Sequence, residues 1–163
     1  MIREFLEKKK AKRIFKKVVG AKTAAALVEG NFDSIPFHHG RIAFLLVFVR
    51  GETPDEVSTR IAQVARHAAA QGATFRDMMG ALVMLAFDTH QNISAQSGVR
   101  LALVQVLRAQ LGQDIKIVHG VAAGYHGLLG EAEYVSFGVL LPHFDNTLGM
   151  LSRLEFGEAA EIS

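Results

Sequence analysis

A chain of 163 residues, half of them hydrophobic and 21% charged, fits one globular domain and excludes disorder as a description of the whole. It contains no cysteine, which rules out disulfides, thiolate metal sites and cysteine nucleophiles. The formal net charge is +2, but residues 1–22 hold nine of the 18 basic and two of the 16 acidic residues, so this segment carries +7 and the remainder −5.

Residues 3–19 read as a helix. Ala11, Ile14, Phe15 and Val18 share one face, while Ile2, Phe5 and Leu6 fall on nearly the opposite one. A straight helix cannot bury both patches in one core, which makes Phe5 and Leu6 candidate contacts with a second subunit. The organisation expected is a basic N-terminal helix over 1–22 followed by a single domain over 23–163. The basic face is read as solvated or lying over the acidic body. It lacks interleaved aromatic residues for stacking bases, so nucleic acid is not favoured as a partner. Lysines fill the place of a signal peptide's apolar region. The longest apolar run, Ile42 to Val49, is too short to span a bilayer. A cytoplasmic protein without transmembrane segments is expected.

Gly20 breaks the first helix, and Ala24 to Val28 forms a short second one that Gly30 ends. Arg41 to Arg50 is the clearest strand, a continuous Ile/Phe/Leu/Val run between Gly40 and Gly51. Thr53-Pro54-Asp55-Glu56 then opens a helix: Thr53 suits the N-cap, Pro54 the first helical position, and Glu56 completes a capping box. Val57, Ile61, Val64, Ala65 and Ala68 form its apolar stripe, and Gly72 stops it after Gln71. Strands follow at Ala73–Met78 and Ala81–Phe87, then a helix over Ser97–Leu111 with Val104, Leu107 and Leu111 inward. Further strands are predicted at Ile115–Ala122 and Glu133–Leu141, separated by a glycine-rich turn over Gly120–Gly130. Pro142 opens a last helix to Leu154, and Ala159–Ile162 begins another strand or frays. From Gly40 onward the order is strand, helix, strand, strand, helix, strand. This is an α/β (α+β) chain with the ferredoxin-like βαββαβ pattern, one mainly antiparallel sheet packed under two helices.

Seven histidines are present. His38 and His39 are adjacent and cannot share a face; His67, His90, His119, His126 and His143 are scattered, and none shows metal-ligand spacing. His119 is read as a core or interface histidine on a buried strand. No nucleophile elbow and no P-loop occurs. No cofactor or metal is expected.

Four stretches in order resemble the catalytic domain of class III adenylate and guanylate cyclases. Leu46-Val47-Phe48-Val49-Arg50-Gly51-Glu52-Thr53 resembles the family's F-x-D-I-x-G-F-T. Met79-Gly80-Ala81 through Phe87 resembles its G-D-x-x-x-x-x-F hairpin. Ile117 to Gly124, with Gly127-Leu128-Leu129-Gly130, resembles a strand ending G-I-x-x-G and the G-x-x-G turn after it. Tyr134 to Gly138 resembles the Y-x-x-x-G strand. The resemblance implies a dimer, with itself or with another cyclase-type domain.

It also exposes substitutions. Family members hold two divalent ions with two aspartates, which polarise the triphosphate and activate the ribose 3′-hydroxyl. Here those positions are Phe48 and Ala81. The asparagine and arginine of the last catalytic helix correspond to Pro142 and Asn146. The expectation is therefore a non-catalytic relative used in regulation or protein interaction. The alternative is a cyclase-like protein that binds a nucleotide or keeps weak activity in cyclic nucleotide signalling. Gly51, Glu52 and Thr53, at the start of a capped helix, are the candidate phosphate-binding turn.

Overall fold

The structure is a computed structural model and describes residues 29, 38–71, 73–87, 93–131, 134–140 and 144–162. The proposed helix at 3–19, with Phe5 and Leu6, and the position of Pro142 lie outside the described residues. The elements in order are β1 (His38–Val49), α1 (Pro54–Ala70), β2 (Ala73–Met79), β3 (Leu82–Phe87), α2 (Ile93–Leu111), a 3-10 turn (Gly112–Asp114), β4 (Ile115–Glu131), β5 (Tyr134–Leu140), α3 (Phe144–Arg153) and β6 (Ala159–Ile162). Among the described residues these strands form one six-stranded sheet in the order β2-β3-β1-β4-β5, with β6 beside β4. All pairings are antiparallel except β4 with β6.

β1 is the centre of the sheet, and its apolar run follows from that. Residues 42–47 and Val49 are buried. Successive side chains alternate between faces. Ala43, Leu45, Val47 and Val49 enter a core beneath α1 and α2 with Val64, Ala68, Leu103, Val104 and Leu107. Phe44 and Leu46 enter a second core on the opposite face with Leu82, Met84, Val118 and Leu151 of α3. A strand covered on both faces reads as continuous hydrophobicity, not as alternation. The two helices expected over the sheet are α1 and α2, and α3 adds cover on the other side.

The sequence and the structure differ along β4. Gly120–Gly130 reads as a turn, yet the strand runs unbroken through it. Its first part pairs with β1 from Val49↔Ile115 to His38↔His126, and its end forms a hairpin with β5 from Tyr125↔Leu140 to Glu131↔Tyr134. The segment holds no proline, so every amide stays available to those long-range ladders. One of its glycines has a packing role: a Cβ at Gly120 would lie 2.6 Å from both Cγ1 and O of Ile162. Gly120 lets β6 close against β4. Gly120→Ala is expected to cost about 1–3 kcal/mol by overpacking. The loss should be read by chemical denaturation, with faster amide exchange over Ala159–Ile162.

Candidate functional site

β1 ends where Val49 N–H donates to Ala81 O at 2.9 Å and Arg50 N–H donates to Asp114 O at 2.7 Å. The chain then turns at Gly51 into α1. A Cβ at Gly51 would meet Val57 Cγ2 at 2.7 Å and Val57 N at 3.0 Å, so this turn excludes a side chain. Thr53 is the N-cap expected from sequence: its Oγ1 accepts from Glu56 N–H at 3.3 Å. Glu56 Oε2 reaches back to accept from Glu52 N–H at 2.9 Å. Arg60 braces the turn from the next helical level. Its Nη1 donates to Arg50 O at 2.7 Å and lies 3.6 Å from Glu56, and its Nη2 lies 3.2 Å from Asp114. Beside this turn opens a cleft of about 720 Å³, lined among others by Gly51, Glu52, Thr53, Val57, Gly80 and Ala81. The candidate phosphate turn and the β2–β3 hairpin thus meet around one cavity. Thr53→Ala is expected to lower stability by about 1 kcal/mol through loss of the cap, measured by urea denaturation.

Phe48 and Ala81 are brought near the end of β1 but do not oppose each other. The register places Leu82 opposite Phe48 on one side and Lys116 opposite it on the other. Ala81 lies one step further along the hairpin, with its carbonyl on the Val49 amide. Phe48 sits instead in an aromatic and cationic cluster. Its ring centroid is 6.1 Å from that of Phe156, with the planes at 52°. The Lys116 ammonium lies 5.6 Å from the Phe48 centroid and 5.5 Å from the Phe156 centroid, and the Arg50 guanidinium lies 4.7 Å from the latter. Such spacings are those of cation–π attraction. Phe156 and Lys116 carried no motif in the sequence, and Arg50 fell at an unspecified position of the first one. The signal that could have found Phe156 is a lone aromatic next to a glycine between the last helix and strand.

Divalent ions of the magnesium type need oxygen donors. The donor set here does not fit one: position 48 offers a phenyl ring under a fixed ammonium and position 81 a methyl group. No group of three His, Asp or Glu side chains among the described residues is arranged to hold a metal. Asn146 lies exposed in the first turn of α3.

A second polar cluster lies under α2, away from the cleft. Arg100 is buried on the inner face of α2, one turn from buried Gln96, which accepts from Ala43 N–H at 3.3 Å. The Arg100 Nη2 donates to Glu161 Oε1, joining α2 to β6. His119 on β4 is buried, and the β4–β6 ladder sets it directly beside Glu161. Burial, and then the Arg100 charge, lower the His119 pKa; the Glu161 charge acts in the opposite sense. The hydrogen bond and charge of Arg100 lower the Glu161 pKa. His119 is thus the buried strand histidine expected, while its charged neighbours, 61 residues apart, were not apparent.

Comparison with known proteins bears on the fold. No protein-family profile and no curated protein matches the chain. Solved structures do. The chain is similar to the adenylyl cyclase CyaB from P. aeruginosa, at 16% identity over 76% of this chain and 77% of that one, with a TM-score of 0.56. It is similar to a bacterial light-regulated adenylyl cyclase at 13% identity, over 98% of this chain and 54% of that one, with a TM-score of 0.71. It is also similar to the catalytic core of a rhodopsin-guanylyl cyclase with converted specificity in complex with ATPαS, at 8% identity over 77% of this chain and 78% of that one, with a TM-score of 0.61.

The fold is that of the adenylyl and guanylyl cyclase catalytic domains. The expectation that the chain is no enzyme is corrected by these matches. It rested on four side chains, Phe48, Ala81, Pro142 and Asn146, whereas the solved folds that this chain reproduces are those of adenylyl and guanylyl cyclases, one in complex with an ATP analogue. Substituting ligands on an intact backbone leaves the turn, the hairpin and the cleft between them in place. No described helix is long and apolar enough to cross a membrane.

Proposed function

We propose that this chain is a nucleotide cyclase-type domain that takes a purine nucleoside triphosphate in the cleft between the Gly51–Thr53 turn and the Gly80–Ala81 hairpin. The reaction of that class closes the ribose 3′-oxygen onto the α-phosphorus and releases pyrophosphate. The observation that carries the reading is the cleft itself: about 720 Å³, set at the end of the central strand and beside the start of α1, in a fold shared with solved cyclases. Helix N-termini favour anions through their amides and dipole. Glu52, Asp55 and Glu56 oppose an anion there, which argues for modest affinity. The chain acts as a dimer in this reading, as cyclase homologues do, with Phe5 and Leu6 proposed as contacts on sequence grounds.

Incubation of the purified chain with ATP or GTP, with and without Mg or Mn, tests this. Cyclic nucleotide and pyrophosphate in equal amounts, with saturable nucleotide binding by calorimetry, are the expected result. Absence of nucleotide binding under every condition would contradict it.

A further inference from the structure

We infer, resting on the nucleotide cleft proposed above, that Arg60 is a positioning residue for that cleft: it holds the Gly51–Thr53 turn in the shape that receives the nucleotide, without touching the nucleotide itself. Gly51, Glu52 and Thr53 line the cleft, while Arg60 and Asp114 do not. The turn needs a hold from outside because of its own sequence. A Cβ at Gly51 would meet Val57 Cγ2 at 2.7 Å, so the position is restricted to glycine. Glycine is also the residue with the most backbone freedom to lose. The close approach that demands glycine therefore leaves the turn without stiffness of its own.

Arg60 supplies the hold. Its Nη1 lies over the turn, 3.2 Å from where a Gly51 Cβ would stand, and donates to Arg50 O at 2.7 Å. The same nitrogen lies 3.6 Å from Glu56 Oε2, the oxygen that accepts from Glu52 N–H. Nη2 lies 3.2 Å from Asp114 Oδ2. Asp114 ends the 3-10 turn between α2 and β4, and its carbonyl accepts from Arg50 N–H at 2.7 Å. One guanidinium thus ties the residues on both sides of Gly51 to the start of β4. A planar fork of donors serves a carbonyl and a carboxylate at once, as an ammonium does not. The Arg60 side chain is only 24% exposed, so these contacts are screened less than those of a surface pair. A turn already held in its bound shape spares binding the cost of ordering it.

The sign of one substitution separates positioning from charge. Asp114→Asn removes a negative charge near an anion's site, which on electrostatics alone tightens nucleotide binding. Through the clamp it releases Nη2, loosens the turn and weakens binding. Calorimetric titration of the full chain with ATP and GTP, with and without Mg, reads the difference. Arg60→Gln is expected to weaken both nucleotides alike, about tenfold, and Asp114→Asn about threefold. Arg60→Lys restores only part of the loss. The double variant is expected to bind no more weakly than Arg60→Gln alone, because both changes act through one contact. Thermal melts of each variant check folding. Asp114→Asn keeps the side-chain volume and the backbone bond to Arg50, so it decides the matter even where Arg60→Gln does not fold. An Asp114→Asn chain that binds as tightly as the parent or more tightly, a folded Arg60→Gln chain that binds like the parent, or losses that add in the double variant would each overturn the inference and leave the cyclase reading standing. No binding of either nucleotide by the parent chain would instead sink the reading on which it rests.

Discussion

Phe44→Ala is expected to cost about 3–5 kcal/mol, the range for emptying a fully buried aromatic site. Phe44 is wholly buried at the centre of β1, paired with Ala86 on one side and Gly120 on the other. Its ring is a main component of the core between the sheet and α3. Neither register neighbour has bulk to move into the space, so the cavity stays open. Because domains of this size are stabilised by only about 5–15 kcal/mol, the loss is a large fraction of the whole. Urea denaturation followed by far-ultraviolet dichroism measures it. A shift smaller than about 1 kcal/mol would contradict the assignment of a second core on this face.

Glu161→Gln is the next largest. Arg100 is buried, and Glu161 is the acid that compensates it. Removing one partner of a buried pair leaves an uncompensated charge, a loss of about 3–5 kcal/mol when both partners are buried. Glu161 is 53% exposed, so solvent screens the pair and about 2–3 kcal/mol is expected. The same cluster sets a pH dependence. His119 has a lowered pKa, so below its ordinary value of 6.5 the unfolded chain binds the proton that the folded chain refuses, and stability falls. Glu161 also has a lowered pKa, so its contribution is present above its ordinary value of 4.5 and is lost as pH falls through the folded value. Both terms have the same sign: acidification destabilises, beginning near pH 6.5. His119→Leu should flatten the upper part of this profile and Glu161→Gln the lower. A stability that rises on acidification from pH 7 to 5 would contradict the arrangement.

Local signals carried much of the fold. The Ile42–Val49 run gave the central strand because both its faces are covered. The Thr53-Pro54-Asp55-Glu56 signature gave the start of α1, since capping is decided within one helical turn. What sequence reading missed depends on distant partners. The glycine-rich half of β4 becomes a strand only because β1 and β5 supply ladders. α2 begins at Ile93, four residues before the expected Ser97, because its first turns bury Gln96 and Arg100, polar residues that break the apolar periodicity.

The candidate site divides in the same way. Gly51, Glu52 and Thr53 were recognisable as a turn, and the structure adds the hairpin that faces them. The resemblance also marked Phe48 and Ala81 as the positions of the family's two metal-binding aspartates. The register pairs Phe48 with Leu82 and Lys116, a one-residue offset along the hairpin that no spacing argument resolves. Inactivity was inferred from the side chains at Phe48, Ala81, Pro142 and Asn146, and that inference is the one the comparison with solved cyclases corrects.

The central claim is that the cleft beside Gly51–Thr53 holds a purine nucleoside triphosphate. Amide hydrogen exchange of the full chain, with and without saturating ATP or GTP, tests it most directly. The account predicts slowed exchange at residues 51–57 and at the 80–82 hairpin, with the distant β6 unchanged. Nucleotide-dependent protection confined to other segments, or no protection anywhere, would contradict it.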